Sequence, residues 1–361
     1  MSQAKIKIPE WPSGDVLYTS YLPAMDGLRA VAILTVITYH FGFDEVPGDL
    51  GVTLFFVLSG FLITRLLLVE FRKTASINFT SFHQRRLLKI FPAYYLFLLT
   101  TFVEECLRGY CWSVGLLVAG ITQVVNYYNA FNGHPNTTIA HIWALSLQEQ
   151  FYLVWPVIFL VLMKRGMRSF VWGLVFSIVG VMLWRVILSV EVGATHAYLY
   201  NALDTRFDSL AIGCLLGVMT EFPGLIARVG IVAVSSLMPL ATLIILLISR
   251  SFGSTAYHYS VGFTVDTILL AVFVLQMLLL HKHWMWAWLD HPSLKFVGRI
   301  SYSLYLWHLL CIGIINHFAF VPVAPRFLLA IMMCLGLASV SYWFVERPFL
   351  KMKERLKAIA V

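Results

Sequence analysis

The chain has 361 residues, of which 60% are hydrophobic and only 12% charged. A soluble domain carries roughly a quarter charged residues, so this composition excludes a protein facing water on all sides. The net charge of +8 invites a nucleic-acid reading, but in a membrane chain basic residues gather in cytoplasmic loops and set orientation, so no nucleic-acid partner is expected.

Residues 1–24 are polar and hold no apolar core of about 7–15 residues such as a signal peptide carries. They are expected to form a cytoplasmic segment, with the first span acting as the anchor. A spanning helix needs about 20 mostly apolar residues. Ten runs approach that test: 25–43, 51–69, 88–104, 142–163, 170–190, 206–220, 230–249, 261–280, 300–319 and 327–345. A further apolar stretch, 112–129, would reverse the orientation of everything after it if it crossed the membrane. Read as re-entrant, it leaves 21 Lys and Arg on the cytoplasmic half and 5 outside, as the positive-inside rule requires. No repeat or linker divides the chain. The expectation is an all-α integral membrane protein of about ten transmembrane helices in the cytoplasmic (inner) membrane, with both termini cytoplasmic. Residues 25–346 form one transmembrane domain, and the basic tail 347–361 lies on the inner membrane surface.

Ionisable groups inside a bilayer are costly, so each is a functional candidate. The first span places Arg29 near the cytoplasm and His40 eleven residues later, about 16–17 Å away on the same helical face. A hydrogen-bonded structural role fits His40 equally well on this evidence. Arg85, Arg86 and Lys89 open the third span, where they read either as positive-inside anchors or as an anion site. Gln148, Glu149 and Gln150 sit inside the fourth span, too deep for a helix cap. Glu149 falls at the level of His40, where a carboxylate would fix the imidazole tautomer and raise its basicity. Arg206 and Asp208 open the sixth span and pair with each other or with an acceptor. His308 lies near the middle of the ninth span, with a packing role equally open. Arg185 and Asp266 occupy outer halves without an assigned role. Cys106 and Cys111 share a short loop in which a disulfide becomes possible if the loop is extracytoplasmic. No spacing suggests a metal site.

Taken together, the motifs identify a relationship. The run MDGLRAVAILTVITYH carries an Arg-x10-His pattern, followed by GVTLFFVLSGFLI, RRLLKIFPAYY, HIWALSLQEQFYLVWP, RFDSLAIG, GRISYSLYLWH and VERPF. In this order they resemble the acyltransferase-3 family of membrane-bound O-acyltransferases over about residues 22–350. Two positions depart from the family pattern. Lys89 replaces the second arginine of the basic motif, and Gln148 stands where the family usually has glutamate, with Glu149 beside it.

The resemblance implies transfer of an acyl group, commonly acetyl, from cytoplasmic acyl-CoA to a hydroxyl of a surface glycan or related glycoside. Acyl-CoA is the co-substrate, and no permanently bound cofactor is expected. Arg29, Arg85, Arg86 and Lys89 would hold the phosphates of coenzyme A. The pantetheine arm would then deliver the thioester to His40, acting as general base or as acyl carrier. Glu149 or Gln148 would orient the imidazole. Ser59, Trp143, Ser146, Tyr152, Arg206, Asp208 and His308 are the supporting or acceptor-binding candidates. The chain carries no extracytoplasmic esterase-like domain of the kind some relatives have, so it is expected to complete the transfer itself. A transporter and a non-catalytic partner in glycan assembly are the rival readings, since buried His, Arg and Asp residues also serve ion pathways.

Overall fold

The computed structural model describes residues 23–220, 222, 235–280, 283–318 and 320–352. The segment 1–22, the beginning of the expected span 230–249 and the tail beyond 352 lie outside the described residues. The helices are α1 (Pro23–Phe41), α2 (Gly48–Thr74), α3 (Phe79–Leu107), α4 (Val114–Ile121), α5 (Val125–Phe131), α6 (Trp143–Lys164) and α7 (Met167–Ile187). They continue as α8 (His196–Asn201), α9 (Leu203–Met219), α10 (Met238–Phe252), α11 (Phe263–Leu280), α12 (Pro292–Arg299), α13 (Ser301–Asn316) and α14 (Val323–Ser341).

Local chemistry sets several boundaries. Asn78 caps α3, its side chain accepting from Ser81 N at 2.9 Å, and Ser113 caps α4 by accepting from Leu116 N at 3.1 Å. Such caps satisfy backbone donors that the first helical turn leaves unpaired. Ala75 ends α2 in the left-handed region, and Gly166 turns the chain between α6 and α7.

Six helical runs are long and apolar enough to cross a membrane: Gly48–Thr74, Phe79–Leu107, Ala140–Lys164, Met167–Val192, Thr255–Leu280 and Val323–Met352. The pair α12 and α13, bent by 74°, makes a seventh if counted as one span. Length and composition alone thus account for six or seven crossings among the described residues and do not confirm the figure of about ten. α1 coincides with an expected span but carries Asp26, Arg29 and His40 in 19 residues. α9 and α10 have only 17 and 15 residues. The stretch 112–129 forms α4 and the start of α5, each too short to span. They are separated by a break at which Gln123 adopts φ 56°.

The centre is built by α2 and the run ending at Leu280, each 67% buried over its apolar window, against 17% for the run containing α7 and 22% for that containing α14. α2 packs on α1, α9 and α11. Its crossing with α9 is glycine-mediated: a Cβ on Gly60 would stand 2.1 Å from Leu210 O, and one on Gly213 2.2 Å from Val57 O. The two backbones touch directly, as small residues permit in membrane helix pairs.

Candidate active site

Three histidines from separate elements meet inside the bundle. His40 comes from the last turn of α1, His308 from the middle of α13, and His141 from the short 3-10 turn Ala140–Ile142 that leads into α6. The ring centroids of His40 and His308 lie 5.0 Å apart, and those of His308 and His141 4.8 Å apart. His308 and His141 are buried, whereas His40 is half-buried and forms the accessible end of the row.

Backbone carbonyls dictate where the protons sit, because a carbonyl can only accept. His308 Nδ1 lies 2.8 Å from Tyr305 O, so Nδ1 carries the hydrogen and Nε2 a lone pair. His40 Nδ1 lies 2.9 Å from Val36 O and 3.3 Å from His308 Nε2, and its N–H faces both acceptors. The remaining nitrogen of His40, Nε2, therefore holds an unshared pair. His141 donates from Nε2 to Leu306 O at 3.1 Å, which leaves Nδ1 bare and without a partner among the described residues. Tyr305 Oη donates to His141 O at 2.7 Å and ties this turn to α13. The sequence singled out His40 and His308 but passed over His141. A histidine in a 3-10 turn at a helix start has no helical periodicity to announce it.

The polar triplet of α6 spreads its side chains in three directions, as successive helical residues about 100° apart must. Gln148 Nε2 donates to Ser59 Oγ of α2 at 3.0 Å. Gln150 exchanges amide bonds with Asn126 at 2.8 and 3.2 Å and donates to Gln123 O at 3.2 Å. Glu149 interacts electrostatically with Arg86 and Lys89 of α3. The expected role of Glu149 or Gln148 as the orienter of His40 is therefore corrected: the polar side chain within hydrogen-bond reach of His40 is His308.

The basic cluster assembles at the opposite end of α1. Arg86 feels the charges of both Arg29 and Arg85, and its guanidinium lies 4.5 Å over the Tyr152 ring. Arg29 faces Asp26 at 3.5 Å and Arg85 faces Glu70 at 3.8 Å, contacts longer than a bonded charge pair. Glu346, which accepts from Ser303, also interacts with Lys89.

At the His40 end, Asp208 is fully committed. It receives Arg185 Nη1 and Nη2 at 3.0 and 2.8 Å, Thr264 Oγ1 at 2.6 Å and Ser209 N at 3.0 Å. This corrects both expectations for Asp208, since it pairs with Arg185 rather than Arg206 and has no capacity left for an acceptor. Arg206 is completely buried. It donates to Thr53 Oγ1 at 3.0 Å and lies 3.9 Å over the Phe263 ring. Trp143 is buried against Tyr200, with ring centroids 4.7 Å apart. Ser146 Oγ is buried without a hydrogen-bond partner among the described residues.

Residues 22–345 match the family described as "Acyltransferase domain". A putative O-acetyltransferase of Staphylococcus aureus strain COL is 31% identical over 364 residues, covering 94% of this chain and 58% of that protein. The O-acetyltransferase OatA of Staphylococcus aureus strain NCTC 8325 is 29% identical over 356 residues, covering 92% of this chain and 57% of that protein. The chain thus spans somewhat over half the length of these curated relatives. No solved structure matches it. With the motifs in order, the histidine and basic clusters at opposite ends of one helix and the match over nearly all its length, this multi-pass membrane chain belongs to the acyltransferase-3 family.

Proposed function

We propose that the protein is a membrane O-acyltransferase that moves an acyl group, by default acetyl, from cytoplasmic acyl-CoA to a hydroxyl of an extracytoplasmic glycan or glycoside. It would sit in the inner membrane with both termini cytoplasmic. The observation that carries this reading is the free Nε2 of His40, about 16–17 Å along one helix from a cluster of three arginines and a lysine. Arg29, Arg85, Arg86 and Lys89 offer charge and forked donors to the phosphates of coenzyme A, exchanging their long contacts with Asp26 and Glu70 for bonds to the ligand. The thin thioester arm then runs outward along α1 to His40.

His40 Nε2 takes the proton of the acceptor hydroxyl as its oxygen attacks the thioester carbonyl. The new C–O ester bond forms, the C–S bond breaks, and the thiolate leaves with the proton that His40 returns. During the step His40 is an imidazolium whose Nδ1–H donates to His308 Nε2, so a neutral imidazole does the work often given to a carboxylate. Arg, Lys and His residues within a bundle also suit a transporter, but a tautomer-locked histidine at one end of α1 with a basic cluster at the other favours acyl transfer.

The test is transfer of label from radiolabelled acetyl-CoA, supplied on the cytoplasmic face of inverted vesicles, to a glycan fraction. His40→Ala is expected to lower the rate by about 10²- to 10⁴-fold at unchanged protein level. Label that stays on the protein when acceptor is withheld would instead make His40 an acyl carrier. Absence of any transfer in wild-type vesicles across a range of acyl-CoAs and lipid-linked glycans would sink the reading.

A further inference from the structure

Beside His40 lies a set of polar and aromatic groups that the transfer chemistry leaves unused. Tyr39 is 43% exposed, and its ring centroid is 5.4 Å from that of His40. Its side chain packs on Gly48, the residue before Asp49, while Arg206 lies 5.7 Å over the Tyr200 ring and 3.9 Å over Phe263, whose ring is 5.6 Å from that of Tyr259. The groups come from the end of α1, the start of α2, α8, the start of α9 and the turns before α11, and so converge at the bundle end away from the basic cluster.

Arg206 lies deepest. It is completely buried, yet its Nε and Nη1 have no hydrogen-bond partner among the described residues. Buried donors are nearly always satisfied, so an unpaired guanidinium edge is a position waiting for an oxygen. Asp49 stands nearer the surface. Its oxygens are each 3.0 Å from Arg250 Nη2, with His258 Nε2 at 3.8 Å, and its side chain remains 18% exposed. The other arm of Arg250 holds Asp266 at 2.7 Å. Tyr259 is stacked flat on His196, with centroids 4.3 Å apart and 5° between the planes. Each arginine here has a carboxylate to offset it: Arg185 faces Asp208, and Arg206 with Arg250 offsets Asp49 with Asp266, while Asp204, Asp44 and Glu45 add further negative charge at this end.

We infer that this cluster is the acceptor subsite and that it takes a neutral pyranose ring rather than a charged sugar. The aromatic groups Tyr39 and Tyr259 meet the apolar C–H face of such a ring, hydroxyls donate to the Arg250-held carboxylate of Asp49, and a ring-borne oxygen accepts from Arg206. A carboxylate on the sugar would meet arginines whose charge is already offset, and would add to the negative charge of Asp49, Asp44, Glu45 and Asp204. The inference rests on His40 as the transfer centre, because Tyr39 carries the bound ring to within reach of that imidazole.

The test uses the full chain in lipid nanodiscs, with saturation-transfer NMR of methyl glycosides of glucose, galactose and mannose and of methyl glucuronide as probes. At least one neutral glycoside is expected to receive saturation, with half-saturation at least tenfold higher in Asp49→Asn and Tyr259→Ala. Methyl glucuronide is expected to bind more weakly than its neutral counterpart. If Asp49→Asn fails to accumulate because Arg250 loses one of its two carboxylates, Tyr39→Ala and Tyr259→Ala decide the matter alone. No saturation of any neutral glycoside, equal binding in the variants, or tighter binding of the glucuronide overturns the inference. Release of coenzyme A from acetyl-CoA is measured separately in the same samples. Sugar binding without coenzyme A release upholds the subsite and sinks the transfer chemistry, whereas release with sugar binding indifferent to these substitutions does the reverse.

Discussion

His308 owes its usefulness to a lone pair. With Nδ1–H spent on Tyr305 O, its Nε2 can only accept, and the group it accepts from is His40 Nδ1–H. Any replacement that keeps an acceptor there should preserve the tautomer of His40, and one that removes it should not. His308→Gln is expected to retain activity within about tenfold, while His308→Phe, of similar bulk, loses about 10²-fold as the base drifts from its working geometry. The pH profile of the rate should shift in the phenylalanine variant and hold in the glutamine variant, a signature that a purely structural role would not produce. A second residue-scale prediction concerns the buried pair of Arg185 and Asp208. Asp208→Asn leaves Arg185 buried with no countercharge and should cost about 3–5 kcal/mol, visible as a large fall in thermal midpoint in detergent. The double change Arg185→Met with Asp208→Leu should be milder, because no buried charge then remains.

At the scale of elements, glycine placement separates packing from mere composition. Gly213→Ala puts a Cβ 2.2 Å from Val57 O and forces α2 and α9 apart. Protein accumulation in the membrane should collapse. Gly180→Ala, in α7 with nothing within 4 Å of the added atom, should be neutral or stabilise by up to about 1 kcal/mol. Expression level and thermal midpoint check both. The motifs GVTLFFVLSGFLI and RFDSLAIG looked like unrelated patterns along the chain, yet their glycines are the two sides of this one crossing. Periodicity and apolar length were enough to place helices near most of the expected spans and to set 112–129 apart from them, a stretch that folds as two short helices. They were not enough to count crossings, because α9, α10 and α13 are short and rely on neighbours, and length criteria see only the isolated helix. The triplet of α6 shows the same limit within a site. Three adjacent polar residues were recognisably costly, but which neighbour each would find depended on helices brought close only by the fold. Glu149 went to Arg86 and Lys89, and the side chain that reaches His40 is His308, 159 positions further along the sequence.

For the whole molecule, orientation is the quantity to measure. If the basic cluster faces the cytoplasm, the loop after α3 faces outward. Cys111, the exposed member of the pair whose sulfurs lie 4.0 Å apart, should then react in intact cells with a membrane-impermeant maleimide after mild reduction. Cys111→Ser combined with Cys106→Ser should abolish that labelling, since Cys214, Cys311 and Cys334 are buried. Labelling only after the membrane is opened would invert the orientation and, with it, the direction of transfer. The contact of α2 with α9 carries a mechanical consequence as well. Two backbones in direct contact have no side chain between them to rotate aside or compress, so the crossing behaves as an axle. Ser59 on one helix and Arg206 on the other are thereby held at fixed separation. Freedom to move falls instead to helices less bound to this crossing, and α14, in a run only 22% buried over its apolar window, has little to release. α7, by contrast, is fastened to the axle by Arg185, whose guanidinium bonds Asp208 of α9.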